Sequence, residues 1–317
     1  MMMGGINIDP KQADALHRLT EEDKSIEKTL ARRGYTFSKD KTNLSKQLFT
    51  DKILINRDYK DTFYRMLSKE SCRSVLKQLC ASKEGCLKND LLRNRTTQEV
   101  NQLLSTLAKM DLLEKNNGEI FRLKNSDVNF GKNLEWFISE VFHRELFCVS
   151  DWGVHVKEAP EGGDYDVLAR AESNIIYVEC KAKKPENLKE KELISFLKRD
   201  EFLRSYTSIL FIDSTDEISY INDLINKLGE KIKTCIPELG IDFVMGDPPY
   251  TESLDGGYFH FQGRLFFVNA KKSVLDTIKL CLRHRHRTGE MEIAFAGRFW
   301  LQELLLKAEK HLTTSFI

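Results

Sequence analysis

The chain contains no apolar run of about 18 residues, so nothing in it reads as a transmembrane helix. Cysteine is scarce and scattered: seven in 317 residues, none in a Cys-X-X-Cys pair. Cys72, Cys80 and Cys86 come nearest to a group, but their spacing fits no zinc pattern. They read as core thiols, which places the expectation in a reducing cytoplasm. An excess of one charge is missing too, with 49 Lys and Arg against 48 Asp and Glu, a net charge of +1. A nucleic-acid partner would therefore have to be met by a local basic surface, not by the protein's overall field. There is no internal repeat and no low-complexity tract. The opening Met1-Met2-Met3-Gly4-Gly5 leads into polar sequence and lacks the form of a signal peptide. What remains, 41% hydrophobic and 31% charged residues, is the composition of a soluble globular protein with core enough to fold unaided.

The most informative stretch is Gly162-Gly163-Asp164-Tyr165-Asp166-Val167-Leu168-Ala169, followed by Ile175-Ile176-Tyr177-Val178-Glu179-Cys180-Lys181-Ala182. Two short β-rich runs flank a polar Glu172-Ser173-Asn174 turn, the pattern of a hairpin. A turn centred between Glu172 and Ser173 sets Asp166 opposite Glu179 and Asp164 opposite Lys181. Alternation then puts Glu179 and Lys181 on one face, with Val178 and Cys180 turned into the core. Carboxylates opposed at the ~5 Å of cross-strand neighbours repel unless a cation lies between them or one is protonated. Oxygen donors of this kind suit Mg²⁺ or Mn²⁺.

The pattern of an Asp, a hairpin and then Glu-X-Lys, preceded by a glycine turn, resembles the PD-(D/E)XK nuclease superfamily. The closest likeness is to its Mrr and Holliday-junction-resolvase branch. The resemblance covers roughly residues 130 to 215 and implies a restriction-endonuclease-like α/β/α core around a mixed sheet. It also implies metal-dependent hydrolysis of DNA, with RNA as the alternative substrate. By resemblance, Asp166 and Glu179 would be metal ligands, Lys181 the catalytic lysine and the backbone carbonyl of Cys180 a further ligand. Glu135, in Gly131-Lys132-Asn133-Leu134-Glu135, would be an auxiliary ligand, with Asp164 nearby. Tyr stands before Asp166 where the family has Pro, and Leu193-Ile194-Ser195-Phe196-Leu197-Lys198 lacks the glutamine of some branches. The resemblance equally admits a fold that has lost activity and serves as a binding subunit. Its partners would be nucleic acid and a second copy or a larger defence or repair assembly, with no membrane.

The remainder divides by pattern. Residues 1–60 read as a helical extension, with Thr20 and Glu21-Glu22-Asp23 opening a helix and Gly34 ending one. Residues 61–125 carry helical stripes and a Leu112–Leu123 hairpin turning at Asn117-Gly118, and resemble a winged helix. Its third helix, capped by Thr97, would expose Gln98, Asn101, Gln102 and Ser105, with Arg93 and Arg95 as phosphate contacts. Residues 126–270 hold the nuclease-like core, with helices at 134–146 and 189–204 and strands at 208–212, 241–245 and 265–268. A further amphipathic helix carries Ile218, Ile221, Leu224, Ile225 and Leu228, and residues 271–317 form a C-terminal helical segment. Asp247-Pro248-Pro249-Tyr250 superficially resembles an amino-methyltransferase signature, but no glycine-rich cofactor loop precedes it. Two basic runs could meet phosphate: Lys183 and Lys184 with Lys189 and Lys191, and Arg283-His284-Arg285-His286-Arg287.

Overall fold

A computed structural model describes residues 25–39, 56–93, 95–116, 119–159, 162–171, 174–216, 219–220, 223–224, 258–261 and 264–287. The expected features at Thr20, Asn117-Gly118, 241–245, Asp247–Tyr250 and the last helix near Trp300 lie outside them. The Ile218–Leu228 helix is described only at 219–220 and 223–224, where it is helical.

Three short elements come first. Helix α1 (Ile26–Arg32) starts at Ser25, whose hydroxyl accepts the Lys28 N–H at 3.1 Å, and stops at Gly34. Strand β1 (Phe37–Ser38) then pairs antiparallel with a distant partner. A helical unit follows: α2 (Arg57–Leu67), α3 (Glu70–Ala81), β2 (Cys86–Leu87), α4 (Lys88–Leu91) and α5 (Thr97–Lys109). It closes with β3 (Leu113–Asn116) and β4 (Ile120–Leu123), and the strand order is β2-β4-β3. Strand β2 is an addition to the expected hairpin. The cap of α5 is Thr96, whose hydroxyl takes the Glu99 N–H while Glu99 reaches back to the Thr96 N–H.

The larger part is a mixed α/β layer structure, as expected. Helix α6 (Phe130–Glu145) leads into β5 (Val149–Val156), β6 (Asp164–Ala171) and β7 (Asn174–Lys181). Then come α7 (Glu190–Leu203), β8 (Thr207–Ile212), β9 (Tyr258–Phe261), β10 (Leu265–Asn269) and a helix α8 over 274–287. The seven strands lie in the order β1-β5-β6-β7-β8-β10-β9. β7, β8 and β10 run parallel, and the flanking pairs are antiparallel. All six residues of β8 are buried, which suits a central parallel strand covered on both faces. Phe147 lies just before β5, 91% exposed with φ +53°.

Each sheet face has its own apolar layer. On one, Trp136, Phe137, Val141 and Phe142 of α6 meet Val167, Val178, Ile209, Phe211 and Phe266. The same cluster continues without interruption into Phe63, Leu76, Leu79 and Leu103 of the helical unit. On the other face, Leu193, Phe196 and Leu197 of α7 and Ile26 and Leu30 of α1 meet Leu168, Tyr177, Leu210 and Phe267. Each such buried side chain contributes about 1.5–3 kcal/mol. Among the described residues no helix is long and apolar enough to cross a membrane.

Candidate metal and phosphate site

The β6–β7 hairpin has the register its sequence suggests. Ala171 pairs with Asn174, and the ladder runs to Val167 opposite Val178. The next position brings Asp166 to β7, where its Oδ2 accepts the Cys180 N–H at 2.8 Å. Val178 and Cys180 enter the α6 layer, while Tyr177 enters the α7 layer and Glu179 is 3% exposed.

β6 changes face at this point. Tyr165 packs in the α7 layer and Val167 in the α6 layer, although residues two apart in a strand ordinarily share a face. Trp152 and Val154 on β5 are split in the same way, and between them Gly153 adopts φ +59°. The kink at Gly153, across from Asp166, re-aims the aspartate. It also takes Asp164 elsewhere: Asp164 pairs with His155 on β5, and its Oδ1 lies 3.0 Å from His155 Nδ1, with the Asp164 side chain 78% exposed. Asp164 therefore does not sit against Lys181, as simple extension of the hairpin suggested.

Charges converge where the apolar strands end. Glu179 Oε1 receives Lys181 Nζ at 2.8 Å. Its Oε2 receives Arg199 Nη1 at 3.0 Å and the Tyr177 hydroxyl at 2.5 Å. Lys181 also lies 3.7 Å from Glu192, which binds Lys183 at 2.5 Å. From α6, Glu135 is 5% exposed and paired with Lys132 at 2.8 Å. Burial, and then the charge of Glu179, push the Asp166 carboxyl up to about 7 against the pull of Lys181 and the Cys180 N–H. Burial and Asp166 likewise hold Glu135 well above the ordinary carboxyl range. Burial tends to discharge Lys181, but Glu179 and Asp166 outweigh it and keep the ammonium above its usual range. In the metal-free protein Lys181 is therefore held in its charged form by the two carboxylates.

Arg199, Glu192, Tyr177 and Lys132 are the members of this cluster that the motif alone does not supply. The first two stand seven residues apart on α7, two turns along one face, and docking of that helix brings them in. The expected phosphate contacts fare differently. Lys183 is tied to Glu192, and Lys184, 63% exposed, lies 3.7 Å from both Glu186 and Asp216. Arg93 is exposed and 3.4 Å from Asp90. Arg95 turns inward: Nη1 donates to the Leu91 carbonyl at 2.8 Å and Nη2 to Ser74 Oγ, so it closes the end of α4 instead of standing free for phosphate.

Among the described residues no three His, Cys, Asp or Glu side chains form a preformed metal cage. The donor chemistry nevertheless fits a hard divalent ion. Mg²⁺ commonly takes one or two carboxylates and completes its shell with water and substrate phosphate.

No family model matches the chain, and no curated protein matches it significantly. Solved structures with a similar course include protein VC1899 from Vibrio cholerae, with a TM-score of 0.40 and 16% identity over 68% of this chain and 60% of that one. Can2 from Sulfobacillus thermosulfidooxidans, solved in complex with cyclic tetra-adenylate, gives a TM-score of 0.35 and 12% identity over 60% and 51%. The present chain thus spans about three fifths of the first and half of the second. Likenesses of this depth carry no argument about what the chain acts on.

Proposed function

We propose that the chain is a metal-dependent nuclease of the PD-(D/E)XK type, hydrolysing phosphodiester bonds of DNA. The observation that carries this reading is that Asp166, held by the Cys180 N–H, and Glu179, paired with Lys181, end adjacent strands at one end of an apolar sheet, with Glu135 close enough to feel both charges. Asp166 and Glu179 would hold Mg²⁺, with Glu135 as auxiliary. Bound there, the ion would polarise the scissile phosphate and lower the pKa of the attacking water. Lys181 would stabilise negative charge building on the phosphoryl oxygens. Arg199 and Tyr177 would fix the Glu179 carboxylate from behind. The α2–α5 unit with β2–β4 would act as a winged helix presenting duplex to this site.

One observation favours a second reading. Glu179 already satisfies three donors, the state of a structural ion-pair network, which suits a binding subunit on a disabled nuclease fold. Plasmid, linear duplex, single-stranded DNA and RNA incubated with Mg²⁺, Mn²⁺ or Ca²⁺ separate the readings. Cleavage is expected with Mg²⁺ or Mn²⁺, and its loss in Asp166→Ala, Glu179→Ala and Lys181→Ala. Lys181→Ala should keep its Ca²⁺ affinity in calorimetry, because an ammonium is not a ligand. Absence of cleavage under every condition, together with no Ca²⁺ uptake, would sink the nuclease assignment. Cleavage of RNA alone would move the substrate and leave the chemistry.

A further inference from the structure

Helix α8 carries a row of cations that no other part of the described structure neutralises. Val274, Thr277, Ile278 and Cys281 are buried, and Val274, Ile278 and Cys281 join the apolar layer on the sheet face that α6 also covers. Their i, i+3, i+4, i+7 spacing fixes which side looks outward. Lys279, Arg283 and Arg287 then fall on the opposite side, four residues apart in turn, so their Cα atoms rise by about 6 Å per step. The basic run is split by the same periodicity. Arg285 turns in, donating to the Tyr206 carbonyl at 3.0 Å with its guanidinium 4.8 Å over the Tyr206 ring, and His284 packs edge-on against Phe266. Among the described residues Lys279, Arg283 and Arg287 have no ion-pair partner. The contrast with Lys183, Lys184, Arg93 and Arg95 is direct, since each of those already has a protein partner.

The row is also aimed. β10 runs parallel to β8, and β8 to β7, in a register that aligns Asn269, Ile212 and Lys181. The chain leaves β10 at the end of the sheet where Lys181 stands and enters α8 directly. The Arg285–Tyr206 contact places the far end of α8 near the opposite end of the sheet, where Tyr206 precedes β8. Two strand spacings, about 10 Å, separate β7 from β10. That offset is smaller than the width of a duplex.

We propose that Lys279, Arg283 and Arg287 form a phosphate rail along α8 that holds the backbone of duplex DNA running away from the Lys181 end of the sheet. The proposal rests on the nuclease reading for its geometry and extends it by assigning a substrate track. Three unpaired cations in line bind a polyanion without sequence preference and release counterions as they do so. The rail makes uniform contacts to bound duplex and takes no part in bond breaking, so it acts on affinity.

The test is fluorescence anisotropy of a labelled duplex at several salt concentrations, in chelator so that nothing is cleaved. The variant is Lys279→Gln with Arg283→Gln and Arg287→Gln, its melting temperature checked against the parent protein. Each lost contact should reduce the slope of log affinity against log salt by about 0.9, close to 3 for the three together. Lys279→Gln and Arg287→Gln alone carry the same test one contact at a time, should the triple variant fold poorly. An unchanged slope, or no duplex binding by the parent at low salt, overturns the rail. Failure of the nuclease reading looks different: the slope falls as expected, yet neither protein cleaves DNA in Mg²⁺ or Mn²⁺.

Discussion

Asp166 lies where its proton is favoured, because burial and Glu179 raise its carboxyl from an ordinary 3.8 to about 7. The native state therefore binds this proton more tightly than the unfolded chain does. In metal-free protein the side chain costs nothing below about pH 4, where both states are protonated. The cost grows as pH rises toward 7 and is complete above it. Asp166→Asn, whose amide oxygen can still accept the Cys180 N–H, should raise stability in chelator by on the order of 1–4 kcal/mol at pH 8 and little at pH 4.5. Thermal melts of both proteins across that range check this, and an equal difference at both pH values would show that Asp166 is not the strained group. The carboxylates and the lysine were legible because charged residues ending apolar strands are conspicuous. The inward turn of Arg95 was not, because it depends on an unfilled carbonyl at Leu91 and a hydroxyl at Ser74, visible only once α3 and α4 are packed.

At the level of elements, the β6–β7 hairpin was readable down to its register, because two β-rich runs and one polar turn leave few ways to pair. The departures have local causes. Asp164 was misjudged because the positive φ of Gly153 breaks alternation where the sequence pattern looks continuous. β1, β2 and β9 are two to four residues long and owe their existence to partners far along the chain, so no periodicity announces them. The Gly162-Gly163 turn has a physical requirement of its own. Gly163 adopts φ +72°, and a Cβ there would stand 2.2 Å from the Val156 carbonyl oxygen. That approach lets the Gly163 carbonyl accept the Val156 N–H at 2.9 Å and close β5 onto β6. Gly163→Ala should cost more than about 2 kcal/mol, combining left-handed strain with a backbone clash. Gly162→Ala meets no neighbour within 4 Å and bears only the strain of its φ of +85°. Urea denaturation of the two variants should rank them in that order, and equal losses would count against the contact.

Across the whole molecule, the helical unit and the sheet share one apolar cluster and a buried ion pair. Arg73, 1% exposed, donates Nε to Asp213 at 2.8 Å and Nη1 to the Leu67 carbonyl at 2.8 Å. Asp213 in turn donates its N–H to the Lys181 carbonyl at 2.8 Å, so this joint abuts the candidate site. Lys77 Nζ also reaches the Asp213 carboxylate, at 3.2 Å, so Arg73→Leu leaves that charge a partner and should cost about 1–3 kcal/mol. Because the cluster is continuous, fluorescence and far-UV dichroism should report one common unfolding transition in both parent and variant. Two separated transitions would mean that the parts fold independently. The mixed order of the sheet bears also on synthesis. β6 and β7 pair across a short turn, but β8 meets β10 more than fifty residues later in the chain. On a ribosome, the hairpin bearing Asp166 and Glu179 emerges well before the strand that completes its parallel neighbours. Asp166 gives up its water as β5, β7 and α6 close round it, all of which precede β10 in the chain, so in metal-free protein near neutral pH the packing of this hairpin is coupled to the uptake of a proton or a cation at that carboxyl.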